Sequence, residues 1–409
     1  MQYTDTPPSL TSLKYSKIFL FFGLLTSLSV MYGVYIYGFS PQQQMQGPSW
    51  QRNFLKVISI FFIFFACINY FSVVALFRNS VLKFPLLYIC VATFLLIPFL
   101  GSMELQAVNL LFFIPLLALD WEKDKGHELF RNIWKWITYI MLIQIFLDPI
   151  LKIYTGVGYV NLALIGGVGN ANSFGYILLS LAIFVRTIWG SSRLFYIFCI
   201  ASYFTGSLAI LMIATFIMAI DLIVRINKKR TYREIGLGLL LVSIISPILI
   251  IYFDQINLQS LSMSVQHSRE KLNALLLILS GGEGGAASID LRREYTLNGL
   301  ELVANSPFSL IWGHPEGIPM YTGDGWWLGL LVTHGLVVTL AFLLINSTLI
   351  IKGIRLGSQE GKCAAYVVLL TCVILLSNRI LDYWPSAFFY VLSVGYICNS
   401  IKLNKKELS

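Results

Sequence analysis

The chain has 409 residues, of which 57% are hydrophobic and 12% are charged, and its formal net charge is +9 at pH 7. Its mean hydropathy is +0.74. A soluble domain cannot bury so much apolar material in one core, so the composition excludes an ordinary soluble protein and predicts an all-α polytopic membrane protein.

About twelve apolar segments are long enough, or nearly long enough, for a membrane span of ~20 residues. In chain order they cover residues 17–38, 55–76, 84–101, 105–120, 133–151, 173–189, 190–204, 206–225, 234–253, 326–351, 363–378 and 383–401. They divide the chain into nine spans within 1–253, a non-membrane segment at 254–325, and three spans with a tail within 326–409. The run from Arg193 to Val224 is too long for one helix, so Thr205, Gly206 and Ser207 are predicted to form a tight turn inside it.

The distribution of Lys and Arg predicts the orientation, because cytoplasmic loops accumulate these residues. With both termini in the cytoplasm, eight of the 29 Lys and Arg residues lie outside, namely Arg52, Lys56, Lys152, Arg269, Lys271, Arg292, Arg293 and Arg379. The positive net charge therefore reflects topology, and we expect no nucleic-acid partner. The first span lacks a small-residue cleavage site, so we expect it to be retained.

The long segment 254–325 is predicted to be a helical periplasmic loop. Its first helix covers residues 266–280 and is followed by a glycine-rich hinge. Its second helix is predicted to start after Ser288 or Asp290, either of which would cap it, and to run to Ala304. Three apolar side chains are expected on the inner face of that second helix, namely Leu297, Leu300 and Val303.

Two adjacent arginines, Arg292 and Arg293, lie near the start of this second predicted helix. The guanidinium fork matches phosphate or diphosphate groups better than any other side chain. The alternative is that both side chains extend to lipid headgroups at the membrane interface. Two neighbouring arginines at a helix start argue against a simple anchor, so we treat them as a candidate diphosphate site.

Asp324 lies two residues before Trp326, at the predicted start of the tenth span, and therefore at the membrane boundary. The alternative role for Asp324 is a helix cap, which is compatible with a chemical role. Two interpretations also stay open for Trp327, which either stacks on sugar rings or belongs to the aromatic belt of the membrane interface.

Other polar residues have both a substrate-binding interpretation and an ordinary structural one. They are His267 with Arg269, Arg379 with Asp382, and Lys152 with Asp148. His334 lies in the tenth span beside Gly335 and is predicted to hydrogen-bond a neighbouring helix. Asn170 and Asn172 follow a glycine-rich turn and are predicted to cap the sixth span. The six cysteines lie inside predicted spans without a CxxC pair, so we expect neither a disulfide nor a metal site.

Three motifs follow one another in a recognisable order. They are the turn Gly169–Phe174, the turn Thr205–Ser207, and a late series of Arg292 or Arg293, Asn305, Pro307, Gly313, Asp324, Trp327, His334, Gly335 and Leu336. With the twelve-span layout, these motifs resemble the bacterial O-antigen polymerase and ligase superfamily. Two departures matter: Leu208 stands where the family often has an arginine, and ligases typically carry a histidine where this chain has Asp324. The second departure favours the polymerases (Wzy type).

The resemblance implies a metal-independent glycosyltransferase with a GT-C-type fold and no cofactor. Such an enzyme transfers a growing glycan from undecaprenyl diphosphate onto an incoming lipid-linked repeat unit, at the periplasmic face of the bacterial inner membrane. Donor and acceptor are then both undecaprenyl-diphosphate-linked oligosaccharides surrounded by membrane lipid, and a chain-length regulator protein is an implied partner.

The resemblance also implies roles for individual residues. Arg292 and Arg293 would stabilise charge on the departing diphosphate. Asp324 would accept the proton of the acceptor hydroxyl. Five further residues would bind the substrate, namely His267, Arg269, Arg379, Lys152 and Trp327.

Two other functions remain open at this point. A ligase would use the same donor and transfer the finished chain to the lipid A core. A flippase of lipid-linked oligosaccharides belongs to a different class, since transporters are often built from repeated halves with charged residues at mid-membrane. The two halves of this chain show no obvious repeat.

Overall fold

The computed structural model describes residues 10–30, 32, 49–100, 110, 112–122, 126–155, 164–229, 287–304, 306–314 and 325–400. Within these ranges the regular secondary structure is helical, apart from an isolated antiparallel bridge between Phe71 and Leu119. The all-α prediction is therefore confirmed for the described part of the chain.

Thirteen α-helices occur in the described ranges. They are α1 Leu10–Ser29, α2 Ser49–Cys67, α3 Val73–Phe77, α4 Ser80–Leu100, α5 Gly126–Thr155, α6 Ala171–Thr187, α7 Ser192–Tyr203, α8 Leu208–Lys229, α9 Ala287–Ala304, α10 Pro307–Trp312, α11 Trp326–Arg355, α12 Gln359–Ile374 and α13 Trp384–Asn399. The described residues also contain four short 3-10 helices, at Ile68–Tyr70, Ile114–Ala118, Gly166–Val168 and Ile380–Asp382.

Among the helices of the described residues, two are long and apolar enough to cross a membrane by length and composition. One is α11, with 30 residues, and the other is the 26-residue part Gly126–Leu151 of α5. The predicted turn at Thr205–Ser207 is confirmed, since α7 ends at Tyr203, α8 begins at Leu208 and Gly206 has a φ of 70°. The predicted span at 234–253 lies outside the described residues.

The predicted span at 105–120 is wrong over residues 112–120. Residues 112–122 form no α-helix and contain only the 3-10 turn Ile114–Ala118, which has Pro115 in its first turn. The backbone carbonyls of Leu117 and Leu119 accept hydrogen bonds from the Asn399 side chain, at 2.8 and 2.7 Å. Because a side chain satisfies these carbonyls, the chain can be buried here without helical hydrogen bonds.

The centre of the bundle is formed by α6 and α13. Every residue of α6 from Ser173 to Val185 is buried, and so is every residue of α13. A helix that is apolar on all sides requires neighbours on all sides, and α6 packs against α5, α7, α8, α12 and α13. The Ser173 and Ser386 hydroxyls, near the starts of α6 and α13, lie 2.5 Å apart.

The backbone N–H of Trp326, where α11 begins, donates to the carbonyl of Leu375, where α12 ends. We call the end of the bundle where α6, α11 and α13 begin the upper end. The opposite end, where α13 terminates at Asn399, is the lower end.

At the lower end, a fully buried lysine holds three segments together. The Lys83 amino group donates to the carbonyls of Ala75 (2.6 Å) and Leu117 (3.0 Å) and to the Asn399 side-chain oxygen (2.8 Å). Arg78 donates to the main-chain carbonyl of Asn399 at 2.7 Å. Cations at a helix C-terminus satisfy its free carbonyls and interact favourably with its dipole, so these two side chains fix the end of α13.

We expect Lys83→Met to lower the free energy of unfolding by about 2 to 4 kcal/mol. Methionine has a similar length but no donor, so the buried Asn399 oxygen loses its partner, whereas the Leu117 carbonyl keeps its bond from Asn399. Thermal unfolding of the purified protein measures the loss. Lys135→Met is the matched control, because Lys135 is exposed. Equal stability of the two variants would contradict the structural role of Lys83.

Candidate active site

The helix that carries the arginine pair, α9, packs against the first turns of α11. Val303 of α9 is 4% exposed and forms a small apolar cluster with Val332 of α11. The helix begins at Ala287, so the prediction that Ser288 or Asp290 lies before its first turn is wrong. Both residues lie in the first turn of α9 instead.

Arg292 and Arg293 lie in the second turn of α9. Of the three apolar side chains expected on the inner face of this helix, only Val303 is buried. Leu297 and Leu300 are 56% and 47% exposed, so that prediction is wrong for both. The apolar contact between α9 and α11 is made by the last turn of α9, where Leu302 and Val303 meet α11.

The predicted base and two predicted substrate-binding residues lie outside the described residues. They are Asp324, His267 and Arg269. Asp324 immediately precedes Gly325, which is the N-cap residue of α11 and offers no side-chain cap. The helix that begins there is the same one on which α9 is packed.

Three residues of the late motif series, Gly313, His334 and Gly335, lie together at a break in α11. Gly335 has φ 78° and ψ 178°, a non-helical conformation that interrupts the helix. A Cβ atom on Gly335 would lie 2.2 Å from the carbonyl oxygen of Ile311 and 2.6 Å from the backbone nitrogen of Gly313. The end of α10 therefore fits directly into the break, and only glycine permits so close an approach.

At the break, one carbonyl of α11 accepts a hydrogen bond from outside the helix. The carbonyl of Val332, one turn before the break, accepts a hydrogen bond from the backbone N–H of His314 at 2.7 Å. The His334 ring makes an edge contact with Tyr88 of α4, at 5.8 Å between ring centroids. We predicted that His334 would hydrogen-bond a neighbouring helix. Among the contacts of the described residues, its ring instead packs against Tyr88.

A second group of motif residues meets at the upper end. The prediction that Asn170 caps α6 is confirmed, since its side chain accepts a hydrogen bond from the Ser173 backbone at 3.0 Å, directly after Gly169 with φ 76°. Asn172 lies inside the helix. The backbone N–H of Leu164 donates to the carbonyl of Phe204 at 2.7 Å, which brings this glycine-rich turn close to the turn Thr205–Ser207.

Two polar side chains of α5 hold the glycine-rich turn in place. Gln144 accepts a hydrogen bond from the Gly167 backbone and donates to the carbonyl of Leu28 in α1, at 3.2 and 3.1 Å. Asp148, one helical turn further on and fully buried, accepts from the Ile165 backbone at 3.2 Å. Gln144 belongs to no motif. Its one signal in the sequence is a polar side chain inside an apolar span, four residues before Asp148.

Arg379 and Asp382 form an ion pair in the turn between α12 and α13, with 2.7 Å between Nε and Oδ2. Burial raises the pKa of the Asp382 carboxyl to about 7, and the neighbouring Arg379 guanidinium lowers it only in part. This ion pair is the ordinary structural interpretation of the two residues, and the structure contains it. The Arg379 side chain is 13% exposed.

The stability of the protein should fall as the pH rises from about 4 to about 7, because the buried Asp382 carboxyl loses its proton over this range. Its folded-state pKa lies above the ordinary value of 3.8, so over this range the folded protein retains a proton that the unfolded chain releases. Melting temperatures of the wild type and of Asp382→Asn at pH 5 and pH 7.5 test this. The wild type should lose more stability between the two pH values than the variant, and parallel losses would contradict the assignment.

Two further predicted substrate-binding residues lie in described helices. Lys152 is in the last turn of α5. Trp327 is in the first turn of α11, where its indole N–H donates to the carbonyl of Cys372 at 3.1 Å and its ring packs edge-on against Phe342. Helix packing thus occupies the polar group of Trp327, while part of its ring stays accessible.

Lys56 forms a cation–π contact with Trp384 at the upper end of the bundle. The amino group of Lys56 lies 5.6 Å from the centre of the Trp384 ring, and the Trp384 indole N–H donates to Ser27 at 3.0 Å. The described residues contain no group of three His, Cys, Asp or Glu side chains that could hold a metal ion. All six cysteines are free thiols.

Among the described residues, Gly313, His334 and Gly335 come together at the break in α11, and the glycine-rich turn before α6 lies close to the turn Thr205–Ser207. Asn305 and Asp324 lie outside the described residues. No protein-family model matches this chain, and no curated protein matches it either.

Proposed function

We propose that the protein is a multi-pass O-antigen polymerase of the bacterial inner membrane, with both termini in the cytoplasm and the upper end facing the periplasm. It transfers a growing glycan from undecaprenyl diphosphate onto an incoming lipid-linked repeat unit. The observation that supports this best is the contact between Gly313 and Gly335. The two belong to one motif series, and a functional series is expected to converge in space.

The placement of α9 supports the same proposal. The helix with Arg292 and Arg293 packs on the first turns of α11, and Asp324 directly precedes α11 in the chain. In the proposed reaction, the oxygen of an acceptor hydroxyl attacks the anomeric carbon of the donor glycan. Asp324 accepts the hydroxyl proton as the new glycosidic bond forms. The bond between the anomeric carbon and the diphosphate oxygen breaks, and Arg292 and Arg293 stabilise the diphosphate that leaves.

Purified protein and a lipid-linked repeat unit test the activity directly. We expect longer glycans to form on undecaprenyl diphosphate in detergent, without a membrane gradient. A flippase would produce no longer glycan under these conditions, because translocation changes no covalent bond.

Lipopolysaccharide from a deletion strain separates the polymerase from the ligase. Loss of a polymerase leaves single repeats on the lipid A core, whereas loss of a ligase leaves none. Complementation with Asp324→Ala should fail to restore the ladder at normal protein levels. A full ladder from Asp324→Ala would reduce Asp324 to a helix-capping role and contradict its assignment as the base.

A further inference from the structure

Lys135 of α5 lies near the lower end of the bundle, and two contacts place it there. Two turns before Lys135, the His127 ring is hydrogen-bonded to the Tyr396 hydroxyl, near the end of α13, at 2.7 Å. One turn before it, Arg131 forms an ion pair with Glu360 in the first turn of α12. Lys135 itself is exposed, so its amino group is accessible at this end.

Two exposed aromatic rings adjoin this lysine. The amino group of Lys135 lies 5.9 Å from the centre of the Tyr139 ring. The Tyr139 ring in turn lies 6.4 Å from the ring of Trp189, which follows the end of α6. Tyr139 and Trp189 are 43% and 36% exposed. We call Lys135, Tyr139 and Trp189 the lower aromatic cluster.

The charge of Lys135 is not neutralised by a carboxylate of the described residues. The acidic side chain in the first turn of α5 and the one that contacts α5 from α12 both pair with other cations. Glu128 lies 3.9 Å from the Lys17 amino group, and Glu360 pairs with Arg131. An accessible ammonium group without an acidic partner attracts an anion.

Beyond the cluster, the exposed side of α5 is apolar. Ile143 and Phe146, one and two turns after Tyr139, are 63% and 68% exposed. Lys135, Tyr139, Ile143 and Phe146 are spaced three or four residues apart and therefore share one side of the helix. Along this side the surface changes from a cation to amphipathic rings and then to hydrocarbon. The helix that carries it is apolar and long enough to cross a membrane.

We propose that the lower aromatic cluster binds an anionic phospholipid of the inner leaflet, with the phosphate at Lys135 and the acyl chains along Ile143 and Phe146. A glycerophospholipid presents the complementary groups in the same order, namely an anionic phosphate, a glycerol backbone and hydrocarbon. Tyr and Trp favour the boundary between the last two, because their rings have one polar edge. A soluble phosphate would use the lysine but leave the apolar part of this surface in water.

Native mass spectrometry of the purified full chain counts individual bound lipids and tests the inference. The chain is titrated in detergent with phosphatidylglycerol and, separately, with zwitterionic phosphatidylcholine. We expect the wild type to bind its first phosphatidylglycerol more tightly than phosphatidylcholine. Lys135→Gln should weaken the binding of phosphatidylglycerol about fivefold, as expected for one cation near anionic lipid, and leave phosphatidylcholine binding unchanged. Lys135→Arg should retain the preference.

The matched control is Arg355→Gln. Arg355 is an exposed cation in the last turn of α11, at the same end of the bundle, since the neighbouring Lys352 donates to the Cys398 carbonyl at 3.1 Å. Among the described residues it has no aromatic neighbour of the kind that Lys135 has, so this variant should bind phosphatidylglycerol as the wild type does. Phe146→Ser should weaken the binding of both phospholipids, because it removes a contact with the acyl chains that they share.

Three outcomes would overturn the inference. Equal affinity of Lys135→Gln and the wild type for phosphatidylglycerol would remove Lys135 from the site. Equal weakening by Lys135→Gln and Arg355→Gln would mean that the affinity reflects overall charge and not the cluster. Displacement of the lipid by glycerol 3-phosphate would assign the site to a soluble phosphate. The inference rests on the membrane placement proposed above but not on the polymerase activity, so its failure would leave the glycan-extension assay unaffected.

Discussion

Replacing both Arg292 and Arg293 by alanine is expected to lower the rate of glycan polymerisation by at least about 10², since removal of one group that stabilises transition-state charge typically costs about 10² to 10³. The two arginines act on the same departing diphosphate, so their separate effects are not expected to multiply. The rate should fall in kcat as well as in kcat/KM, because charge on the diphosphate develops only as the glycosidic bond breaks. The measurement is the rate of glycan extension by purified protein.

The matched control is Arg355→Ala. Arg355 is exposed in the last turn of α11, far along the helix from the proposed site. This variant should polymerise at the wild-type rate. Wild-type activity in the double variant, with unchanged membrane insertion, would mean that Arg292 and Arg293 are lipid-facing anchors, and would contradict their role in stabilising the departing diphosphate.

The second large effect is expected from Gly335→Ala, which should lower the free energy of unfolding by about 3 to 5 kcal/mol. Alanine is strained at the φ of 78°, and its Cβ would collide with the carbonyl oxygen of Ile311. Because that oxygen belongs to the backbone, relief requires the end of α10 to move away from α11. The hydrogen bond between the His314 N–H and the Val332 carbonyl would then be lost.

The control variant Gly357→Ala measures the cost of backbone strain without a collision between the new Cβ and its surroundings. Gly357 has a similar φ of 80°, and a Cβ there meets no atom within 4 Å. Its replacement should therefore cost only the strain of a left-handed residue, about 1 to 2 kcal/mol. Thermal unfolding of both variants in the same detergent gives the comparison. Equal losses would show that α10 does not fit into the break of α11.

Local patterns in the sequence predicted several elements within a few residues. The cap at Asn170 and the turn at Thr205–Ser207 are defined by neighbouring residues alone, so composition and spacing were sufficient. The predicted span over 105–120 failed in its described part for the opposite reason. The hydropathy of this segment is that of a membrane span. However, the Asn399 side chain, some 280 positions away, donates hydrogen bonds to two backbone carbonyls there, so the segment is buried without a helix.

The candidate site shows the same division. The arginine pair of α9 and the motif series could be found in the sequence, because residue type and order carry that information. The exposure of Leu297 and Leu300 could not be predicted, since it depends on which turns of α9 touch α11. Gln144 likewise acquires its role only because the turn at Gly167 lies beside it.

By itself the sequence predicted the helical class of the described residues, the approximate positions of most described helices, and the residues on which the proposed diphosphate chemistry depends. These properties follow from hydropathy, periodicity and local capping. Only the tertiary structure decided that Lys83 fixes the end of α13 and that α10 enters the break at Gly335. Both depend on contacts between distant segments, because a buried polar group or a missing side chain must be matched by a partner that no local pattern identifies.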